Sequence, residues 1–324
     1  MSILFLCDNK GNIASAFTPE QAGAHPVMTF PEFKRAPIGG VEYIFSTWGM
    51  PSLSYEEIGR YFPRLKAVFY AAGSVQDFAR PFLEFGARVF SAWGANAVPV
   101  AEFAASQILL ANKGYFRAQS IYREKGFEAA AEYASHFGGN YFADVGLLGA
   151  GMIGRLVIGL LKRHDLNLYV FDPFLSEAQA AELGVAKAGI EHIFRNCDVI
   201  SNHVADNENT KGIVTYGLLS SMKDYATFIN TGRGAQIESG ALLRAMSEKP
   251  GRTALLDVTD PQEPLPAGSP YFSCGNIFVT PHRAGSVQKE VLRMGKYMFE
   301  EYARVASGEA ALYEVNMRML ETMA

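Results

Sequence analysis

The sequence predicts an α/β protein of two domains, each a doubly wound parallel sheet with helices on both faces. Three observations predict it. The chain is 324 residues long, about two domains at roughly 150 residues each. Short apolar, β-branched runs alternate with helical patterns, the signature of βαβ units. Hydrophobic residues make up 49% and charged residues only 19%, which supplies two buried cores and excludes a disordered chain.

The elements follow in order. Strands are expected at 3–7, 43–46, 66–70 and 88–91, then at 145–148, 168–171, 198–202, 227–230, 254–258 and 277–280. Ser54 with Glu57 forms a capping-box pattern that opens a helix between the second and third strands. Gly86 stands where a helix over 76–85 should stop. From about Val100 a helix carries Ala101, Phe103, Ala104, Ile108, Leu109 and Leu110. A helix this apolar is buried on most of its surface. Pro99 is expected in its first turn and the helix is expected to reach past Tyr115. Its apolar faces suit a connection between domains or a dimer face. The last helix, over about 287–307, is amphipathic, and a short tail follows.

Composition excludes several classes. The 33 acidic and 29 basic side chains give a formal net charge of -4, which argues against a nucleic-acid binder. The cysteines (Cys7, Cys197, Cys274) are odd in number and widely spaced, so neither a disulfide frame nor a zinc site is expected. The histidines lack ligand spacing, so no metal is implied. The apolar run over 145–161 is interrupted by Arg155 and by glycines, and is short for a membrane span. The opening MSILFLCDNK lacks a basic n-region and reads as a first strand, not a secretory leader. A cytoplasmic location is expected.

The sharpest local signal is Gly149-Ala150-Gly151-Met152-Ile153-Gly154. It follows an expected strand and opens a helix expected over 152–163. Gly149 permits the tight turn, Gly151 lets the backbone approach a pyrophosphate, and Gly154 lets the helix pack on the strand. The first helical residues, Met152 and Ile153, then present free N–H groups to phosphate oxygens. Asp172, 18 residues beyond Gly154, ends the next strand, where a carboxylate accepts from ribose hydroxyls. It would repel a 2′-phosphate, and no basic residue follows it directly. NAD is therefore expected, in preference to NADP, on a Rossmann-like domain.

Three downstream segments carry the polar residues of a hydride-transfer site, each where a strand is expected to end. They are Asn230-Thr231-Gly232-Arg233-Gly234, Asp257-Val258-Thr259-Asp260-Pro261-Gln262-Glu263-Pro264 and Pro281-His282-Arg283-Ala284-Gly285-Ser286. With these motifs in this order, the chain resembles the D-isomer-specific 2-hydroxyacid dehydrogenases. Their hallmarks are a central GxGxxG, an Asn-x-x-Arg-Gly segment, an Asp-Val-x-x-x-Glu-Pro segment, which here has four residues between Val258 and Glu263 in place of three, and a Pro-His segment. The resemblance extends to Val100-Ala101-Glu102, to Asn202-His203-Val204 with Thr210, and to Ala71-Ala72-Gly73-Ser74.

The resemblance implies roles that the chemistry supports. Arg233 would grip a substrate carboxylate bidentately, which lysine cannot do. His282 would be the acid/base that protonates a keto oxygen or takes the hydroxyl proton. Glu263 would pair with His282, favour its imidazolium and orient the ring. Ala72, Gly73 and Ser74 would offer backbone N–H groups to the carboxylate. Val204, Thr210 and Thr231 would line the cofactor, and Asp257 would hold the nicotinamide carboxamide or a neighbouring group. Four positions depart from the family pattern: Ala205, in the cofactor loop, stands where proline is usual, Thr259 where a large apolar residue is common, Arg283 where a neutral residue is usual, and Pro99 before Val100-Ala101-Glu102 is also unusual.

The implied architecture has a nucleotide-binding domain over residues 100–287. It is inserted into a flavodoxin-like substrate domain made of residues 1–99 and 288–324, with a cleft and two crossings that form a hinge. The implied activity is NAD-dependent interconversion of a small 2-keto acid and its D-2-hydroxy acid, in a homodimer that binds neither nucleic acid nor membrane. An NAD(H)-binding regulatory or corepressor-like protein on the same fold is the alternative. A formate dehydrogenase would pair glutamine with the histidine, and Glu263 argues against it.

Overall fold

The computed structural model describes residues 2–321. The chain forms two compact units, one from the segments up to Ala97 and from Ser286 onward, the other Val98–Gly285.

The first unit begins with β1 (Ser2–Leu6), β2 (Val27–Met28), β3 (Val41–Ser46), β4 (Ala67–Tyr70) and β5 (Arg88–Ser91). β1 lies between β2 and β3, so these strands run in the order 2-1-3-4-5, all parallel. This is the flavodoxin-like order of a doubly wound sheet. Both faces are covered, so the strands are apolar throughout instead of alternating. One face carries a ladder of phenylalanines. Phe5, Phe45, Phe69 and Phe90 sit in register on adjacent strands, with neighbouring ring centroids 5.3, 5.0 and 4.7 Å apart. Phe299 and Tyr302, from the helix Val291–Ala306, pack onto that ladder.

The second unit holds β6 (Asp144–Leu148), β7 (Asn167–Phe171), β8 (Ala186–Lys187), β9 (Val199–Asn202), β10 (Thr227–Asn230), β11 (Thr253–Leu256) and β12 (Ile277–Val279). Their order is β12-β11-β10-β9-β6-β7-β8, again parallel. β6 and β9 are neighbours from which the chain winds in opposite directions. That pair is the switch point at which Rossmann sheets bind dinucleotides, outside the carboxyl ends of the strands. β13 (Glu314–Val315) returns to the first unit and pairs antiparallel with β5. The tail that read as a simple chain end thus contains an edge strand. It is clamped by the Arg88–Glu314 ion pair at 2.6 Å.

The long apolar helix differs from expectation. It spans Trp93–Ala111, with Pro99 in its interior and not in its first turn. The Asn96 N–H already donates to the Ala92 carbonyl, and Ala95 is fully buried in the first unit. Tertiary packing thus starts the helix before the proline, despite the backbone bond that proline removes. The helix does not reach Tyr115. It stops before Gly114, whose φ is +62° and where a Cβ would lie 2.5 Å from the Phe137 ring. A second helix, Tyr115–Lys125, starts there. The apolar residues Ala101, Ala104, Ala105 and Ile108 pack into the second unit's own core, so this face is not available to a partner. Among the described residues no helix is long and apolar enough to cross a membrane.

Candidate active site

The glycine turn between β6 and the helix Met152–Leu161 has the three spacings its residues suggested. Gly149 has φ +92°, and a Cβ there would lie 2.8 Å from the His203 carbonyl oxygen. A Cβ on Gly154 would lie 2.1 Å from the Gly149 oxygen, so only glycine lets the helix sit this close. Around Gly151 there is open space: nothing lies within 4 Å of where its Cβ would be. The turn is held from the next strand. Asp172 accepts the Ala150 N–H at 2.7 Å and the Phe174 N–H at 2.8 Å. The acid therefore fixes the glycine turn while its remaining lone pairs stay available to a ribose.

Across the switch point lies the loop after β9. His203 is buried, with Nε2 3.0 Å from the Ser201 hydroxyl. Burial pushes its pKa down to about 4, so the ring is neutral at pH 7. The Ala205 carbonyl accepts from Thr210 at 2.7 Å and from Gln236 at 3.2 Å. The loop is thus tied down without the proline that is usual at Ala205.

Gln236 is fully buried and carried no motif signal. Its side-chain oxygen accepts from Asn202 at 2.7 Å and from the Arg233 N–H at 3.1 Å, and its NH2 donates to the Val204 carbonyl at 2.8 Å. Asn230 donates to the Arg233 carbonyl at 3.0 Å. The Asn202–Asn230–Gln236 network thereby clamps the backbone of Arg233 on both sides. A buried amide network with every group satisfied holds one geometry. Sequence reading had placed Asn202 and Asn230 within motifs, but a buried glutamine six residues past a strand has no pattern to announce it.

The Arg233 loop touches the acidic segment. A Cβ on Gly234 would lie 2.2 Å from the Thr259 carbonyl carbon, so glycine alone permits this approach. The Thr259 hydroxyl donates to the Gln262 carbonyl at 2.7 Å, and the next residue, Glu263, accepts the Thr259 N–H at 3.2 Å and pairs through Oε1 with His282 Nδ1. His282 has φ +50°, a left-handed conformation uncommon for residues other than glycine and often found at functional sites. Asp257 supports it. This buried carboxylate accepts the Thr280 hydroxyl at 2.5 Å, the Arg283 N–H at 2.7 Å and the Ala284 N–H at 2.8 Å. Arg283 itself is exposed.

The other expected carboxylate-binding segment lies at the carboxyl end of β4 in the first unit. The Ser91 hydroxyl holds the Ala72 carbonyl at 2.9 Å and also donates to the Gly73 carbonyl. The Gly73 and Ser74 N–H groups donate to no protein group among the described residues. The carbonyls of that loop are anchored, and these two donors are left open.

The residues at the switch point fit a dinucleotide. On the loops that follow β10 and β9, the Thr231 hydroxyl and one Asp206 carboxylate oxygen are buried without a partner, and such groups await a ligand or water. Among the described residues, no cluster of side chains is arranged to hold a metal ion.

A Rossmann sheet with a glycine turn, a ribose-side acid and an Arg, Glu and His on neighbouring strand ends defines a dinucleotide-binding protein of the dehydrogenase type. The particular family is equally plain. Residues 105–284, more than half the chain, match the family described as D-isomer specific 2-hydroxyacid dehydrogenase, NAD binding domain, and the chain belongs to that family. A D-3-phosphoglycerate dehydrogenase of Archaeoglobus fulgidus is 28% identical over 73% of this chain, and the match spans 44% of that protein's length. A glyoxylate reductase of Korarchaeum cryptofilum is 27% identical over 80% of this chain and 78% of its own. Among solved structures, a D-2-hydroxyisocaproate dehydrogenase superposes with TM-score 0.78 at 18% identity, covering 97% of this chain and 99% of that one. A phosphoglycerate oxidoreductase from Rhizobium etli gives 0.77 at 21%, covering 98% and 99%. At these identities the structures speak to fold.

Proposed function

We propose that this protein is an NAD-dependent oxidoreductase that interconverts a small 2-keto acid and its D-2-hydroxy acid. The observation that carries the proposal is the Glu263–His282 pair, held with a left-handed His282 on a loop fixed by Asp257. The nicotinamide cofactor, when bound, donates or accepts the hydride, and the protein supplies position and field. Gly149, Gly151, Met152, Ile153 and Gly154 cradle its phosphates, and Asp172 takes the adenosine ribose. Val204, Thr210, Thr231 and Asp257 line the remainder, with Asp257 acting chiefly through the His282 loop.

Arg233 binds the substrate carboxylate and adjacent oxygen, and its clamped backbone keeps the guanidinium placed. The family resemblance assigns carboxylate binding to Ala72, Gly73 and Ser74 as well, and the Gly73 and Ser74 N–H groups have no protein acceptor among the described residues. During reduction, His282 Nε2 gives a proton to the keto oxygen. During oxidation it takes the proton from the hydroxyl. Glu263 holds Nδ1, so the ring turns its other nitrogen to the substrate.

The preference for NAD over NADP rests on Asp172, whose charge opposes a 2′-phosphate. We further propose a homodimer. After the long helix the second unit exposes Tyr115, Tyr122, Phe127, Tyr141 and Phe142, and exposed aromatic side chains are enriched at protein interfaces. The free thiols Cys7, Cys197 and Cys274 suit a reducing, cytoplasmic setting. The experiment that tests the reading follows NADH oxidation with glyoxylate, hydroxypyruvate, pyruvate, phenylpyruvate, branched and phosphorylated 2-keto acids. Turnover with at least one supports it. Tight NADH binding without turnover on any of them favours a regulatory protein instead.

A further inference from the structure

A cavity of about 370 Å³ opens on the second unit, lined by Arg117, Leu243, Met246, Pro250, Pro270 and Cys274, among others. It shares no residue with the Arg233, Glu263 and His282 set. Cys274 lies just before β12, whose far end leads to Thr280 and His282. The cavity therefore sits toward the amino end of that strand, away from the proposed chemistry.

Its polar groups are matched internally, with one exception. The Cys274 thiol donates to the Asn276 side-chain oxygen at 3.1 Å, and the Ser247 hydroxyl donates to the Leu243 carbonyl at 2.7 Å. The Asn276 NH2 faces the carbonyls of Met246 and Arg252 at 3.0 and 2.8 Å. The exception is Arg117. Its side chain is 15% exposed, and its nearest carboxylate is an oxygen of the half-exposed Glu124 at 4.0 Å. Nη1 donates to the Gly275 carbonyl at 2.6 Å, while Nε is buried with no partner. A guanidinium carries five N–H donors and no acceptor, and sheltering it from water is unfavourable unless acceptors replace the water.

We propose that this cavity binds a small carboxylate with an apolar body. The Arg117 guanidinium takes the carboxylate, and the body lies against Leu243, Met246, Pro250 and Pro270 in a pocket open to solvent on one side. The volume lies at the low end of the ligand-pocket range, which suits a molecule of a few carbons. The exposed tyrosines of the neighbouring helix do not compete for it. On the helix Tyr115–Lys125, Arg117 shares a face with Ile121 and Glu124, whereas Tyr115 and Tyr122 lie on the opposite one.

Cys274 offers a readout that the catalytic site does not share. Cys7 and Cys197 are buried and Cys274 is half-buried. The rate of Cys274 alkylation by neutral iodoacetamide, followed by mass spectrometry on the native protein, reports occupancy. Hexanoate is the probe, with inorganic phosphate as a probe of charge alone. The expected result is a saturable slowing, about tenfold at ten times the dissociation constant. Phosphate should slow the reaction less at equal concentration. Arg117→Met should abolish the protection while NADH binding shows that the variant is folded, and Arg117→Lys should keep part of it. An alkylation rate that hexanoate does not change overturns the proposal, as does equal protection in Arg117→Met. A Cys274 that never reacts in the native protein, as if a second copy covered the cavity, also overturns it.

Discussion

The Asp257 carboxylate accepts the Arg283 N–H at 2.7 Å, and so fixes the backbone one residue beyond His282. Its other oxygen accepts the Ala284 N–H at 2.8 Å. Between them these bonds hold His282 in its left-handed conformation. Asp257→Asn keeps the shape but turns an NH2 group toward a backbone N–H, leaving buried donors unmatched at about 1–3 kcal/mol. The expected outcome is a kcat lowered by about 10–100-fold with the KM for NADH little changed. Steady-state kinetics and a melting curve check it. An unchanged kcat would show that the loop does not need this anchor.

Arg233→Lys should raise the KM for the keto acid by about 10–100-fold, the worth of a charge-assisted bond lost with the bidentate fork. Cofactor affinity should hold, because the Asn202–Asn230–Gln236 network that fixes the backbone is untouched. Titration of NADH fluorescence separates the two effects. Weakened NADH binding with normal keto-acid KM would place Arg233 on the cofactor side instead.

Asp172→Ala should do two things. It removes the acceptor for the Ala150 N–H, which loosens the glycine turn, and it removes the charge that opposes a 2′-phosphate. The ratio of kcat/KM for NADH over NADPH should fall by about tenfold, and absolute NADH affinity should fall with it. A coenzyme ratio that stays the same would leave Asp172 only its role in the turn.

His203 gives the fold a pH dependence. Its pKa falls from the ordinary 6.5 to about 4 through burial. Below pH 6.5 the unfolded chain binds a proton that the folded chain does not. The full contribution is present above 6.5, and stability falls as the pH drops toward 4, by about 1.4 kcal/mol per pH unit from this group. Urea midpoints at pH 7 and pH 5 should differ less in His203→Gln than in the parent chain. Equal differences would remove His203 as a source of acid sensitivity.

How much of this was legible in the sequence follows from what each feature depends on. The ten longer strands could be read because both faces of a parallel sheet are buried, which makes each an apolar run. β2, β8 and β13 have two residues each, too short for any period. The glycine motif was legible because its main constraints are local: the positive φ of Gly149 in the turn and the close approach of Gly154 to the Gly149 oxygen involve residues a few positions apart, although Gly149 also lies against His203. Pro99 misled because the buried Ala95 and the Ala92 carbonyl, set by the first unit's core, extend the helix before it. Gln236 and the anchoring bonds of Asp257 were invisible because, the Arg233 contact of Gln236 apart, their side-chain bonds join segments 23 or more residues apart. Only the folded chain brings such partners together.

The central claim is that His282, paired with Glu263, moves the proton that accompanies hydride transfer. The most direct measurement is the loss of NADH absorbance with the best keto acid of the panel, in the parent chain and in His282→Ala. NADH binding is measured in parallel by fluorescence. The account predicts that His282→Ala binds NADH as the parent does and turns over at least about 100-fold more slowly, the range of a lost general acid. Undiminished turnover in that variant would contradict it.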